Sequence, residues 1–503
     1  MILTLARSAR RPVSRTTVVL VAALSLFAAS CGSRLTPKQV AALNRTGANS
    51  GGEGAAASVG GGDVGASTSG GGAVSAGPGA ASGPSGGSAG AKSSSGGASQ
   101  GPAAAASKGA GSTAGVDPAV CKGPASGPGI TPTEVDLGMV TTETGPIPGL
   151  EKGSIDSMNA FVGYLNSIGG ICGRKVVLKI ADDNLDVSQN ATATQSLANS
   201  VFAMVGSDSG VDQGGASSLK QSGIPDIGEA LSHDRFNLPN NFSPQPQPPG
   251  VNLAPYVYFK SRFPQAVTKM AVLGLNQATA LEETKAGIAG LESIGYKFVY
   301  QNLNIEPTQT DFRADAQAMK SAGAQGLMFL AIGSYYADVA KAMQAVGLQM
   351  PFASYSSNAY DPTFLSEAGS AANGSVLYSQ SALYQGEDAN SVPAIALFDK
   401  WYKAVSGGDL PNDFAVWGWM SGLLFLKGLN AGGGLTRDNL TNGLKQVTSF
   451  DADGIQSTAN PAGKAPPPCY IIVDITNEKF VRDAVNPSGF NCTGAPNFYR
   501  YNG

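Results

Sequence analysis

From Gly129 onward short apolar runs alternate with stretches of helical periodicity, and this alternation most restricts what the chain can fold into. Val135–Val140 reads as a strand, and Ile155, Met158, Val162 and Leu165 then recur at helical spacing. Val176–Ile180 (strand), Val187–Ala198 (helix), Val201–Val205 (strand), Ala216–Gln221 (helix) and Ile224–Ile227 (strand) continue the series. A Pro- and Asn-rich stretch, Asn237–Gly250, interrupts it, and the alternation then restarts. Ala271–Leu273, Phe298–Tyr300, Gly326–Leu330 and a segment near Phe352 read as strands, with Thr279–Ile294, Phe312–Ala322 and Tyr336–Val346 helical between them. Parallel strands need crossover connections, so βαβα order implies α/β architecture with helices on both sheet faces. Two such series imply two Rossmann-like, doubly wound lobes joined by a hinge, with a cleft between them. Further helices at Ile395–Val405 and Ala415–Leu429 precede β-like segments at Tyr470–Ile475 and Phe480-Val481. We expect one lobe over residues 117–250, with about 381–440 returning to it. The other covers 251–380, with about 441–503 returning to it or to the hinge.

The N-terminal part has a different texture. Arg7, Arg10, Arg11 and Arg15 precede a short apolar run, Val18–Ala29, and then Ser30-Cys31. A basic region, an apolar region and small residues before a cysteine resemble a bacterial lipobox, so residues 1–30 are expected to be a lipoprotein signal peptide. Cys31 would carry the lipid, and its acyl chains would hold the protein at a membrane surface. Residues 31–116 are expected to be a disordered tether, because from Asn49 to Gly115 the chain is almost entirely Gly, Ser and Ala. Such a segment cannot bury enough apolar surface to offset its ordering entropy, and it would span on the order of 45 Å as a coil. The Gly83–Gly87 match to the hydrolase pattern G-x-S-x-G lies inside this stretch, without the strand and helix that pattern needs.

Charge and composition exclude several classes. The net charge is −3 with no long Lys/Arg run beyond the N-terminus, so the electrostatic footprint of a nucleic-acid binder is missing. His233 is the single histidine, which leaves little room for a His-rich metal site or a His-based triad. Besides Cys31 there are four cysteines, Cys121, Cys172, Cys469 and Cys492. An even number in an exported chain suggests disulfides, and no pair has the C-x-x-C spacing of a zinc site. Four cysteines allow three pairings, of which the sequence-local one is Cys121–Cys172 with Cys469–Cys492.

Ligands of open α/β sheets bind beyond the carboxyl ends of strands. The loops to consider are therefore Thr141–Gly149, Gly206–Gly210, Gly228–Ser232, Leu275–Thr279, Ala331–Tyr336 and Ser354–Asp361. They are rich in hydroxyls, amides and backbone N–H groups near helix starts, which suit a small polar solute but equally suit helix capping. Tyr335, Tyr336 and Tyr360 can wall a cleft. Asp182 and Asp183 are adjacent on a strand end, point to opposite faces and so do not form a catalytic dyad. No nucleophile–base pair, phosphate loop or metal cluster emerges, and an enzyme is not expected.

The residues that carry a resemblance are Val135–Met139, Thr144-Gly145-Pro146, Tyr164–Lys175 with its Asn-x-x-Gly-Gly-Ile-x-Gly-Arg-Lys core, Asp182-Asp183 and Val201–Gly206, with Phe414–Trp417 matching more loosely. In order and spacing they are similar to the leucine/isoleucine/valine-binding protein family. These are type I periplasmic binding proteins, the extracytoplasmic substrate-binding subunits of ABC transporters. The resemblance runs from Gly129 to the C-terminus. It implies ligand-binding positions at Thr142, Thr144, Ser207, Asp208, Ser209, Glu229 and Ser232 in the first lobe, and at Gln277, Tyr335, Tyr336, Ser357 and Asn358 in the second. Asp208 stands in the loop that would hold a ligand carboxylate and would repel it, and Asn358 with its serines stands where an acid would meet an ammonium. An amide, a urea-like compound or another polar solute is thus as good a candidate as an amino acid.

The expectation is a monomeric solute-binding lipoprotein on the outer face of the cytoplasmic membrane. It would use no cofactor, bind no nucleic acid and deliver a small polar solute to ABC permease and ATPase subunits by lobe closure. The rivals are a same-fold sensor feeding a receptor kinase and an exported hydrolase using the cleft acids Glu143 or Asp208.

Overall fold

The computed structural model describes residues 115–494 and 497–501. The segments expected to be a signal peptide and a tether, with Cys31 expected to carry a lipid, lie almost entirely outside the described residues.

Two sheets organise the chain. The first holds four parallel strands in the order β2-β1-β3-β4: β1 (Glu134–Thr141), β2 (Lys175–Asp182), β3 (Ala203–Val205) and β4 (Asp226–Ile227). The central strand β1 is buried nearly throughout, as a parallel strand covered on both faces must be, whereas the edge strand β2 keeps Lys175 and Ile180 exposed. A short pair, β5 (Gly250–Asn252) with the C-terminal strand β13 (Phe498–Arg500), stands apart. The second sheet has seven strands in the order β12-β11-β10-β9-β8-β6-β7. These are β6 (Met270–Leu275), β7 (Phe298–Ile305), β8 (Gly326–Leu330), β9 (Phe352–Tyr355), β10 (Ser375–Ser379), β11 (Ile471–Thr476) and β12 (Lys479–Arg482). Strands β6 to β10 pair in parallel, and β11 and β12 add antiparallel to that edge. This is the doubly wound, two-lobed type I periplasmic binding protein architecture.

The helices follow from the apolar periodicity and its caps. In the first lobe, α1 (Lys152–Ser167) covers one sheet face and turns Met158, Phe161 and Leu165 inward. Helix α2 (Val187–Ala198) begins at Asp186, whose side chain accepts the N–H groups of Ser188 and Gln189 at 2.9 Å each. Then come α3 (Ala216–Ser222), ended by Gly223 in the left-handed region, and the one-turn α4 (His233–Phe236). The second lobe is built with α5 (Ala254–Arg262), α6 (Ala278–Ser293), α7 (Arg313–Ser321), α8 (Gly333–Ala345) and α9 (Pro362–Ala368). The chain then returns to the first lobe: α10 (Pro393–Lys403) and α11 (Asp413–Gly432) pack on α1, and α12 (Arg437–Leu444) packs on α11. Helix α11 is apolar nearly all round because it is enclosed on nearly all sides.

Three segments therefore cross between the lobes, and a buried residue from each meets the others. Gln245 on the first donates to Gln456 on the third at 3.1 Å and lies 3.5 Å from the Ser381 hydroxyl on the second. Trp417 Nε1 donates to Gln245 Oε1 at 3.2 Å, so every member of this hinge cluster is paired. Two disulfides, Cys121–Cys172 and Cys469–Cys492, realise the sequence-local pairing.

Candidate functional site

In each sheet the strand order reverses beside one strand: β1 lies between β2 and β3, and β6 between β7 and β8. Crevices open at the carboxyl ends of strands at such switch points. A cavity of about 220 Å³ lies there between the two lobes. One buried water takes about 10–15 Å³, so the space accommodates on the order of fifteen water-sized groups. From the first lobe Ile147, Leu150, Glu151, Leu185, Gly210 and Leu231 line it, and α11 contributes Phe414 and Trp417. From the second come Leu275, Gln277 and Thr279 at and beyond the end of β6, Leu330 to Ile332 and Tyr335 at and beyond the end of β8, and Ser354 and Ser356–Asn358 around the end of β9. Pro246, Gln247, Pro248 and Pro249 of a crossing segment close one side. The wall is thus more apolar than the hydroxyl-rich loops alone suggest.

Four of the residues singled out from the sequence line this cavity: Gln277, Tyr335, Ser357 and Asn358. Gln277 caps α6, its Oε1 accepting the Ala280 N–H at 3.0 Å, while its Nε2 donates to the Gly210 carbonyl across the cleft. Asn358 Nδ2 donates to the Ala331 carbonyl at 3.2 Å, and the Tyr335 hydroxyl donates to the Pro307 carbonyl. The other eight do not line it. Tyr336 is buried behind it, its hydroxyl between Ala331 and Ser356. Thr144 is exposed and bonded to Asp182. Ser207 Oγ accepts the Val140 N–H at 3.1 Å, and Ser232 caps α4. The Thr142 and Ser209 hydroxyls both donate to Asp183, which also accepts from Asn190 and the Leu185 N–H. Asp183 thus ties the β1 and β3 loops together, while Asp182 serves the β1 loop through Glu143 and Thr144.

Carboxyls dominate the first-lobe side of the cleft. Glu151, just before α1, reaches back into the switch point. Its Oε2 accepts the Thr142 N–H at 2.6 Å and the Thr141 hydroxyl at 3.0 Å, and its Oε1 accepts the Gly210 N–H at 3.1 Å. Burial, with the nearby charges of Asp208 and Asp183, holds its carboxyl well above the usual range. Asp208 is 1 % exposed; Ser154 donates to one oxygen at 3.3 Å and the other has no partner. Burial pushes it up to about 7. Glu229 accepts the Ser243 hydroxyl at 2.6 Å and leaves its second oxygen unpaired, and burial raises it well above its ordinary value. The buried counter-charge is Arg235, which binds Asp226 through two N–H groups at 2.9 Å each and donates to Asp212 at 3.4 Å. On the second lobe, Glu282 meets His233 across the cleft at 2.6 Å. Its neighbour Glu283 makes no hydrogen bond or ion pair among the described residues; burial and the charges of Asp212, Glu282 and Asp208 push it up to about 8.

A model of the periplasmic binding protein family matches residues 134–479, which takes in both sheets and the whole cleft. The chain belongs to that family. Among solved structures, a fatty acid ABC transporter substrate-binding protein from Thermomonospora curvata is 20% identical with a TM-score of 0.60, over 71% of this chain and 92% of that one. A putative branched-chain amino acid ABC transporter protein from Rhodospirillum rubrum is 20% identical with a TM-score of 0.52, over 70% and 100%. A leucine-binding protein from Thermotoga maritima is 14% identical with a TM-score of 0.58, over 70% and 98%. No curated protein sequence matches the chain. The resemblance to leucine/isoleucine/valine-binding proteins read from the sequence thus stands on the family match. In this family member the sequence reading missed Glu151, Glu282 and Glu283, since an acid before or near a helix start ordinarily reads as a solvated, dipole-complementing residue.

Proposed function

We propose that this protein is the extracytoplasmic binding component of an ABC importer, capturing a small solute between two lobes that close on it and presenting it to permease and ATPase subunits. The observation that carries the reading is the cavity at the facing switch points, lined from both lobes and bounded by contacts that cross the cleft at Gly210 and His233. Such contacts exist only while the lobes meet, so a ligand filling the cavity gains affinity for the closed form over the open one. The lipobox-like Cys31 and the long Gly/Ser/Ala segment support a lipid-tethered body at the outer face of the membrane. The apolar wall supports a solute with an apolar body and few polar groups rather than a wholly polar one.

The test is a thermal-shift screen of amino acids, amides, ureas, and short- and medium-chain carboxylates, alcohols and amines, followed by small-angle scattering on hits. A bound solute at 100 times its dissociation constant adds about 2.7 kcal/mol of stability. It should also shrink the radius of gyration as the lobes close. A hit that is turned over rather than released would count against a binding role.

A further inference from the structure

The anion-binding donors of the first switch point are already used. At the first switch point the N–H groups of Thr142 and Gly210 and the Thr141 hydroxyl converge on one point, from loops that follow two different strands. This is the arrangement that would hold a ligand's carboxylate at a strand-end crevice. The carboxylate found there is the protein's own, that of Glu151, which is 1 % exposed and takes all three donors. The hydroxyls that flank this point, on Thr142 and Ser209, are taken in turn by Asp183. Among the described residues no lysine or arginine lines the cavity, and its carboxyl and imidazole groups are those of Glu151, Glu282, Glu283 and His233. His233 already answers Glu282, which leaves Glu283 without a counter-charge.

We infer, on the solute-binding reading above, that the cavity takes a ligand with an apolar body and a cationic nitrogen head that pairs with Glu283, and that it rejects free carboxylates because Glu151 fills the cradle such a group would need. The apolar body lies against Leu185, Leu231, Leu275, Phe414 and Trp417. An ammonium beside Glu283 supplies the charge the site lacks. A carboxylate in the same cavity would find no lysine or arginine to pair with and its donor cradle already taken by Glu151, so its charge would be buried unpaired.

The test uses three probes with one chain length and different heads: octylamine, 1-octanol and octanoate, titrated calorimetrically into the intact, oxidised protein at neutral pH. The expected order is octylamine, octanol, octanoate, with at least a tenfold gap between the first and last. Glu283→Gln should weaken octylamine about tenfold and leave octanol unchanged, and Glu151→Ala should open the cradle and strengthen octanoate. Glu151→Gln, which keeps the side-chain shape, should fold and leave the order intact, so a failure of Glu151→Ala to fold does not remove the test. Octanoate binding as tightly as octylamine, or an amine preference untouched by Glu283→Gln, would overturn the inference. If all three probes fail while another solute from the broader screen binds and closes the lobes, the cationic head is wrong and the solute-binding reading stands; silence in both experiments defeats both.

Discussion

Thr279, the second residue of α6, donates a hydrogen bond across the cleft to the carbonyl of Gly210, at 3.0 Å. Gln277 donates to the same oxygen, so one backbone acceptor in the first lobe receives two side chains from the second. Because these bonds exist only when the lobes meet, they bias closure without touching the folding of either lobe. Thr279→Val keeps the shape and removes the donor. A neutral hydrogen bond contributes about 0.5–1.5 kcal/mol, so ligand affinity should fall about three- to tenfold. Calorimetry reads the affinity, and an unchanged urea midpoint without ligand separates a closure effect from a folding one.

His233 and Glu282 form a second crossing, 2.6 Å apart with about a third of each side chain exposed. Exposed ion pairs contribute about 0.2–1 kcal/mol and are screened by salt. His233→Gln should therefore weaken binding less than Thr279→Val, and the difference from the native protein should shrink between low and high salt. An effect larger than that of Thr279→Val would mean that the histidine touches the ligand.

The buried acids set the direction of pH dependence. Burial pushes Asp208 up to about 7, Asp413 up to about 6 and Glu283 up to about 8, while in the unfolded chain such groups titrate near pH 4. Between about pH 4 and pH 8 the folded state thus holds more protons than the unfolded one, so stability falls as pH rises through this window. The acids held low, Asp182 and Asp311, act only below it. The urea midpoint should be higher at pH 5.5 than at pH 8, and Asp208→Asn should flatten the slope. A midpoint that rises with pH would show that these carboxyls are charged and compensated in the fold.

Much of the fold was legible because it is local. The helix read as Val187–Ala198 has those bounds, since Asp186 caps its start in sequence as in space. The strand in Ile224–Ile227 shrinks to Asp226–Ile227, since only these two residues pair with β3, and Asp226 meets a single bridge at Asn241 on its other side. Strand β10 was missed: Ser375–Ser379 gains its place from pairing with β9 on one side and β11, nearly a hundred residues later, on the other. Helix α5 was missed too, because Tyr256, Val257, Tyr258 and Phe259 suit a strand as well as a helix. The loops at the strand ends were found, and with them Gln277, Tyr335, Ser357 and Asn358 on the cavity wall. Its apolar wall was not, because Leu185, Leu231 and Trp417 come from separate loops and a returning helix that only the tertiary fold assembles. The occupation of the cradle by Glu151 is likewise a matter of which donor reaches which acceptor.

Arg235 has no substitute within its cluster. Its guanidinium holds Asp226 with two bonds and reaches Asp212 and the carbonyls of Ser207 and Glu229, all in a buried region. A lysine cannot reproduce the planar fork, and Arg235→Met leaves two buried carboxylates without a cation. Breaking such a buried pair costs about 3–5 kcal/mol, measured by urea unfolding. Asp226→Asn should cost less than Arg235→Met, since one N–H acceptor survives and Asp212 still answers the arginine.

The disulfides differ in the length of chain they close. Cys121–Cys172 spans 51 residues and Cys469–Cys492 spans 23. On chain-entropy grounds the first contributes about 4 kcal/mol and the second about 3 kcal/mol. Replacing each pair by serines should lower the urea-derived stability in that order. The second pair ties the connection into β11 to the segment leading to β13, so its loss should also raise amide exchange in β5 and β13 before the core strands.

Helices α11 and α12 meet through glycines. A Cβ on Gly443 would lie 1.9 Å from the Gly428 carbonyl oxygen and 2.5 Å from the Gly432 backbone nitrogen, so Gly443→Ala must push two backbones apart. At Gly428 the nearest atoms belong to the Leu444 side chain, at 2.5 Å, which can move by changing rotamer. Overpacking costs about 1–3 kcal/mol where side chains can yield and more where backbones must. Gly443→Ala should therefore exceed about 3 kcal/mol and Gly428→Ala should fall below it. Gly163 in the middle of α1 is the contrast: a Cβ there meets Trp401 at an ordinary 3.6 Å. Alanine in a helix interior is better than glycine by about 0.5–1 kcal/mol, so Gly163→Ala should raise stability by about that amount. If all three substitutions cost alike, the α11–α12 contact is looser than this geometry, and the returning helices are free to shift against each other.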